Sequence, residues 1–499
     1  MAIKRYFASI DNTLTNAFKA NLTTRGTGSN MGASDILEAF VIHGQTSASV
    51  DATNAGQSRI LIQFPMDQIT TDIAAGTLPS SSAQYRLVMT NAPHGGTTPL
   101  SYSLDIMMVS QSWSEGRGLD MDNYTDLGYS NWIYGASATQ WVTPGGNYLT
   151  KNTPGQSAGI NYSASYFFSG GTENLNVDVS HLVDRWRSGA NPNYGFMIKN
   201  TDTDITGTTG TFYTKKFFGR TSEFYLNRPV LEVRWDSSRK DNRGNFLMSS
   251  SLLPAVDNLN TLYLYNSVRG ELTNIPGLID DRLRMTLYTG SSGSPTGDSL
   301  AVLDSVGASE HYVTAGLLVE NGITRTGIYT ASFATTSSAS TLFDVWITGS
   351  TQFHTGSFVP ETYGATNIIY NDQYITDITN LKSSYFKGQK PQMRVFIRKK
   401  DWSPNIYTVA QATVPAEIIN SGYYRVLRTI DNEDIISYGT GSYNATKMSY
   451  DVSGNYFELD TSFLDAGYSY GIKFAYYKQG QYREQPEVFK FRVTDEESP

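Results

Sequence analysis

Pro229-Val-Leu-Glu-Val-Arg-Trp235 alternates apolar and polar residues and stops at Asp236-Ser-Ser-Arg-Lys-Asp-Asn-Arg-Gly244, a charged run without a hydrophobic side chain. Alternation of period two puts one face of an extended segment in a core and the other in water. The first stretch therefore reads as a strand, the second as a domain boundary. The same signature recurs upstream at 58–64, 85–89, 104–110 and 194–199. It returns at 261–265, 283–288, 327–333 and 342–346, and again at 392–398, 423–427, 456–459, 471–477 and 488–493. Short strands at regular spacing, punctuated by Gly, Pro and Asn, predict β-sandwiches. The second and third sets share an early apolar-aromatic strand and a late Gly-Ile-Tyr or Gly-Tyr-Ser-Tyr-Gly-Ile strand, the pattern of diverged copies.

Composition agrees. Tyr 33, Phe 23 and Trp 7 make 13 % aromatic residues, beside 44 Gly; aromatic residues suit pleated, half-buried surfaces and Gly suits tight turns. At ~150 residues per domain, 499 residues suggest about three domains. Helical signals are sparse. Val179-Ser-His-Leu-Val-Asp-Arg-Trp-Arg-Ser-Gly189 predicts one short helix, with Ser180 as cap, Leu182, Val183 and Trp186 on one face, and Gly189 as its end. It is expected to be the only sizeable helix; 69–75 reads equally well as a turn.

The formal charge of -8, from 38 Lys+Arg and 46 Asp+Glu, argues against a duplex nucleic-acid binder, which needs a basic footprint. With no Cys there is no disulfide, thiolate metal site or Cys nucleophile. No run of 18 apolar residues predicts a membrane helix, and MAIKRYFASIDNTLTNAF lacks an apolar run of signal-peptide length, so a soluble chain made in a cytoplasm is expected.

Motifs of chemistry are scarce. Gly-Lys does not occur, so there is no Walker-type loop, and no Gly-x-Ser-x-Gly elbow is present; Gly290-Ser-Ser-Gly-Ser-Pro295 reads as a hairpin loop. His43, His94, His181, His311 and His354 are too far apart for a zinc motif. Asp120-Met-Asp-Asn-Tyr-Thr-Asp126 suggests a calcium loop, but an EF-hand needs Gly and Glu where Thr125 and Asn131 stand; Asp202-Thr-Asp204 is weaker still. Phe396-Ile-Arg-Lys-Lys-Asp-Trp402 interleaves basic and aromatic residues like a nucleic-acid or glycan patch, although an edge strand guarded by Lys accounts for it better. Trp113, Trp132 and Trp141, with Tyr124, Tyr129 and Tyr134, make either a core or a sugar-binding platform; Trp113 and Trp186 are expected in the core. No acidic pair stands out for glycoside hydrolysis. No catalytic, cofactor-binding or metal-binding residue is assigned and no cofactor is expected.

Several segments in order then resemble one family. They are Ile10-Asp-Asn-Thr-Leu14, Ser29-Asn-Met-Gly-Ala-Ser-Asp-Ile-Leu37, Ser58-Arg-Ile-Leu-Ile-Gln-Phe64, Trp113-Ser-Glu-Gly116, Trp141-Val-Thr-Pro-Gly-Gly146, Val177-Asp-Val-Ser180, Asn193-Tyr-Gly-Phe196 and Arg228-Pro-Val-Leu-Glu-Val233. Residues 8–235 thereby resemble the DNRLRE-type (disaggregatase-related) domain, which implies a jelly-roll sandwich akin to carbohydrate-binding modules. Asp257-Asn-Leu-Asn-Thr-Leu-Tyr-Leu-Tyr265, Arg269-Gly-Glu-Leu272, Gly327-Ile-Tyr329, Leu342-Phe-Asp-Val-Trp346 and Gln352-Phe-His-Thr-Gly356 resemble structural proteins of tailed phages, especially myophages of marine cyanobacteria. That resemblance implies a virion component and no catalytic residues.

The expected fold is all-β: a jelly-roll sandwich at 1–238, then immunoglobulin-like sandwiches at 245–360 and 361–499. The expected function is a non-enzymatic structural or accessory virion protein at the head, neck or tail, docking on other virion proteins as a homo-oligomer or in repeated copies. The alternative is an adhesin or fibre that grips a host glycan, for which Trp132 and Trp141 would be exposed together. Neither nucleic acid nor membrane is expected as a partner.

Overall fold

The computed structural model describes residues 2–51, 53–96, 98, 100–122, 125–126, 128–153, 156, 159–207, 210–290, 298–362, 373–400, 402, 416–478 and 480–495. Among them 43 % lie in strands and 8 % in helices: the fold is all-β, built of sandwiches. The chain forms two compact units, 3–235 and 236–499.

The first unit holds β1 (Ile3–Phe7), β2 (Ile10–Thr15), β3 (Ile36–Ile42), β4 (Gly56–Gln63), β5 (Gln84–Met89), β6 (Tyr102–Met108), the small hairpin β7 (Tyr134–Ala136) and β8 (Thr139–Gln140), β9 (Ser163–Phe168), β10 (Leu175–Asp178), β11 (Phe196–Asn200), β12 (Phe212–Phe218) and β13 (Val230–Arg234). One sheet runs β1-β13-β5-β10; the other runs β12-β3-β4-β11-β6-β9, with β2 also paired to β4. The strand that opened the sequence reading is thus central in the smaller sheet, with Glu232 opposite Arg5 and Arg86.

Alternation explains why β4 and β11 are buried on both faces. Ile60, Ile62, Phe196 and Ile198 point one way, and Leu61 and Met197 the other. Leu61, Met107 and Met197 are covered by Trp113, Trp132 and Trp141, which ride in on the 109–150 segment and make a second, outer core.

The helices depart from expectation. The longest is α1 (Met66–Ala74), in the region that reads equally well as a turn; it starts after Pro65 and is anchored by Ile69 alone. The predicted helix is α2 (Ser180–Arg187), and Leu182, Val183 and Trp186 are buried as expected. Ser180 does not cap it. Its hydroxyl instead accepts the Tyr85 N–H at 2.8 Å, tying the helix to β5.

In the second unit the strands follow the order Asn260–Tyr265, Ile323–Phe333, Val313–Glu320, Leu283–Tyr288, Leu342–Thr348, Thr351–Phe358. Val313–Glu320 changes partner midway: Ala315 pairs Leu283, whereas Gly316 pairs Thr330. This lets six strands wrap one core of Leu262, Met285, Leu287, Tyr329, Phe333 and Trp346. The last sandwich has one sheet of Tyr374–Ile378, Gln392–Lys399, Gly454–Glu458 and Ser449–Asp451. The facing sheet runs Ser384–Phe386, Phe489–Thr494, Ser469–Lys478, Gly422–Arg428, Asp434–Ile436, with Gln481–Glu484 on Ser469–Lys478. Stacked Tyr424 and Phe457, 4.1 Å apart, join the two.

Candidate functional site

Three places concentrate polar chemistry. The first lies in the 3–235 unit, where segments of the family resemblance converge. Asp11 on β2 is fully buried. Its Oδ2 accepts the Arg220 N–H at 2.7 Å, and its own N–H donates to Glu115 Oε1 at 2.8 Å. The Arg220 guanidinium closes the triangle by donating to both Glu115 oxygens, from Nε at 2.5 Å and from Nη2. Asp11 Oδ1 has no partner among the described residues. Burial pushes the Asp11 carboxyl up to about 7, helped by the Glu115 charge and opposed by the Arg220 amide and guanidinium.

Asn30 anchors the neighbouring loops, donating to the carbonyls of Glu115 and Ser130 and accepting from Gly32 and Gly118. Gly116, at φ +82°, leaves room for it: a Cβ there would stand 2.3 Å from Asn30 Oδ1. The motif residues Asp11, Asn30, Glu115 and Gly116 therefore meet for a structural reason, to tie four distant loops with buried, paired polar groups.

The second place is the charged run 236–244, which reads in sequence as a domain boundary. It is held to both sandwiches of the second unit. Arg239 N–H donates to Ser449 Oγ at 2.9 Å, Tyr450 N–H to the Arg239 carbonyl at 3.0 Å, and Asn242 Nδ2 to Tyr450 Oη at 3.0 Å. On the other side Arg239 pairs Glu320 at 3.0 Å, and Arg243 pairs the fully buried Asp344 at 2.6 Å. Arg243 also bonds Asp241 and the Tyr263 carbonyl, and Trp346 Nε1 donates to Asp344. The run is charged because it supplies paired ions to a joint.

The third place is the surface of the last sandwich. Arg425 bridges Asp434 and Glu484, and Lys473 pairs Glu484. Arg428 pairs Glu433 at 2.6 Å and lies over Tyr468. Tyr477 and Tyr482, ring centroids 4.7 Å apart, are both exposed. Tyr and Arg together on an exposed sheet face have the composition of an interface.

No protein-family model and no curated protein matches the chain. Among solved structures it is similar to the tandem Ig repeats of Dlar, at 8 % identity over 48 % of this chain and 92 % of that one, with a TM-score of 0.13.

The residues singled out in the sequence are dispersed. His43 is buried between Thr211 Oγ1 and the Ile205 carbonyl. His94 sits at a loop accepting from Gly96 N–H, His181 contacts the Ser163 carbonyl, His311 the Ser299 carbonyl, and His354 is on the Thr351–Phe358 strand. Among the described residues no three His, Asp or Glu gather to hold a metal ion. In the Asp120–Asp126 stretch, Asp120 accepts from Asp122 N–H and Asp122 from Ala20 N–H; Asn123 and Tyr124 lie outside the described residues. Asp202 and Asp204 bond Lys199 and Thr201.

Trp113, Trp132 and Trp141 are all buried, so no sugar platform is built on them. Trp113 Nε1 donates to Tyr194 O, Trp141 Nε1 donates to Asn131 O, and Trp132 lies beside Arg59. In the 396–402 stretch, Phe396–Lys399 pair Tyr374–Asp377 on one side, while the pairing of the same strand with Gly454–Glu458 on its other side stops at Val395, so this end of the strand has the one-sided pairing of an edge. Asp401, the 291–297 part of the Ser/Gly loop and the tail 496–499 lie outside the described residues. No described helix is long and apolar enough to cross a membrane. The Asp11 triangle and the Arg243–Asp344 joint are not legible in sequence because their members are 101 to 209 residues apart.

Proposed function

We propose that the chain is a non-enzymatic structural protein of a tailed-phage virion, assembled in the host cytoplasm and docked on other virion proteins in repeated copies. The observation that carries this reading is the Thr351–Phe358 strand. It is the last strand of its sheet, eight residues long, with no charged residue and no Pro, and Phe353 on it is exposed. Chains that work alone blunt such edges with Lys, Pro or bulges; this one has neither Lys nor Pro, and its single bulge, at Phe353 opposite Trp346 and Ile347, leaves the edge on either side without a charged guard, which suits pairing with a neighbour. The Tyr/Arg surface of the last sandwich supports the same reading, as does the likeness of 257–356 to phage structural proteins.

Electron microscopy of intact particles carrying the protein tests it. Copies in symmetric repeat, each contact burying more than ~1,000 Å², are expected. A protein that stays monomeric beside the particle proteins and instead retains host glycan would overturn it in favour of the adhesin reading.

A further inference from the structure

Lys215 and Lys216 are adjacent on β12, yet they face opposite ways. Lys216 reaches Glu38 at 3.4 Å, whereas Lys215 points inward and is only 1 % exposed. Lysine is almost never that buried without a special partner. The Lys215 Nζ lies 2.6 Å from Asn91 Oδ1, 2.8 Å from the Gly171 carbonyl and 2.8 Å from the Glu173 carbonyl. The Phe168 and Phe217 rings flank it, centroids 4.8 and 5.3 Å away.

Asn91 follows β5 as the chain leaves the smaller sheet, and it lies opposite Phe217 along the outer edge of β12. Lys215 is two positions from that partner, hence on the same face and within diagonal reach. Burial pulls the Lys215 ammonium down to about 8, against the opposing charge of Glu173, so roughly a tenth of the amine is free at neutral pH. In the free amine the two carbonyls hold the two N–H groups. The lone pair then faces the Asn91 carboxamide. Among the described residues the carboxylate whose charge acts on Nζ is that of Glu173; its Oε2 is buried and has no partner there, and the Gly170 amide holds it ionised. Asn91 itself is half-buried, which leaves a way out for a small product.

We propose that Lys215 and Asn91 close an intramolecular isopeptide bond. Nζ attacks Asn91 Cγ, the Nζ–Cγ bond forms and the Cγ–Nδ2 bond breaks. The proton that Nζ gives up on attack passes to the departing nitrogen, and ammonia leaves. No oxidant or cofactor takes part. The product is a secondary amide that joins residues 124 apart in sequence and locks the chain's crossing from one sheet to the other. A covalent tie across so long a loop restricts the unfolded chain and resists shear between sheets.

Intact mass of the full chain under denaturing conditions tests this directly. A mass about 17 Da below the sequence value is expected, one ammonia. A protease digest should contain a branched peptide joining the segments around Asn91 and Lys215. Asparagine cyclisation gives the same loss of mass, so the branched peptide is required. Lys215→Arg and Asn91→Ala should each restore the full mass. The full sequence mass in the unaltered chain, or a deficit that survives Lys215→Arg, would overturn the proposal. The measurement on the unaltered chain stands even if a variant does not fold.

Discussion

The aromatic residues of the first unit and of the last sandwich meet opposite fates. Trp113, Trp132 and Trp141 are 8, 6 and 4 % exposed, whereas Tyr468, Tyr477 and Tyr482 are 41, 42 and 47 % exposed. The difference lies in what each sheet presents outward. The larger sheet of the first unit presents Leu61, Met107 and Met197, apolar groups that must be covered. The last sandwich presents Arg425 and Lys473, which stay in contact with water while Tyr rings lie among them. A cluster of aromatic residues in sequence is therefore no measure of a binding platform; the residues beneath it decide.

The largest effect should come from the outer core. Trp141→Ala removes a buried indole and its bond to the Asn131 carbonyl, and should cost ~3–5 kcal/mol in urea unfolding. An unchanged midpoint would erase the distinction between the two aromatic clusters. Arg243→Ala should approach that cost, about 3 kcal/mol or more, because it leaves the buried Asp344 carboxylate unpaired. Its loss should appear in the unfolding of the second unit and leave the first unit's transition in place.

A smaller effect is expected from pH. The Asp11 carboxyl is raised in the fold to about 7, from 3.8. The folded state therefore binds the proton more tightly than the unfolded state. The stability from this group is complete below about pH 4 and is lost as pH rises through about 7. Asp11→Asn keeps an acceptor for the Arg220 amide. It should flatten that slope in thermal melts compared between pH 4 and 8, and raise the melting temperature at the upper end. An identical slope in the variant would place the titrating group elsewhere. The smallest effect is expected at the exposed rings: Tyr482→Ala should change the stability of the isolated chain by no more than ~0.5 kcal/mol, while lowering the amount of protein built into particles.

Much of the strand pattern was legible. Leu283–Tyr288 has the bounds its alternation predicts, and Leu342–Thr348, Gln392–Lys399 and Gly422–Arg428 differ by one or two residues. Thr351–Phe358 was not legible, because a polar edge strand has no buried face to impose alternation. Val313–Glu320 hid behind its Gly316, and α1 behind its two Thr and single buried Ile. The run 236–244 reads as a domain boundary, and the second unit begins with it, but charge in a sequence does not say whether its partners come from water or from Asp344 and Glu320.

Local order was thus settled by the chain's own chemistry: period-two alternation, aromatic and β-branched residues, and Gly and Pro at the turns are properties of neighbours in sequence. Facing was not. Alternation says that Lys215 and Lys216 lie on opposite sides of β12, and nothing in Thr-Lys-Lys-Phe says which is inside. The register of β12 on β3, with Lys215 opposite Ala39 and Lys216 opposite Glu38, decides it. A shift of one residue would have exchanged them. The same holds for Asp11 with Arg220 and for Arg243 with Asp344: each buried polar group is tolerable in the interior because tertiary structure delivers its partner from far along the chain.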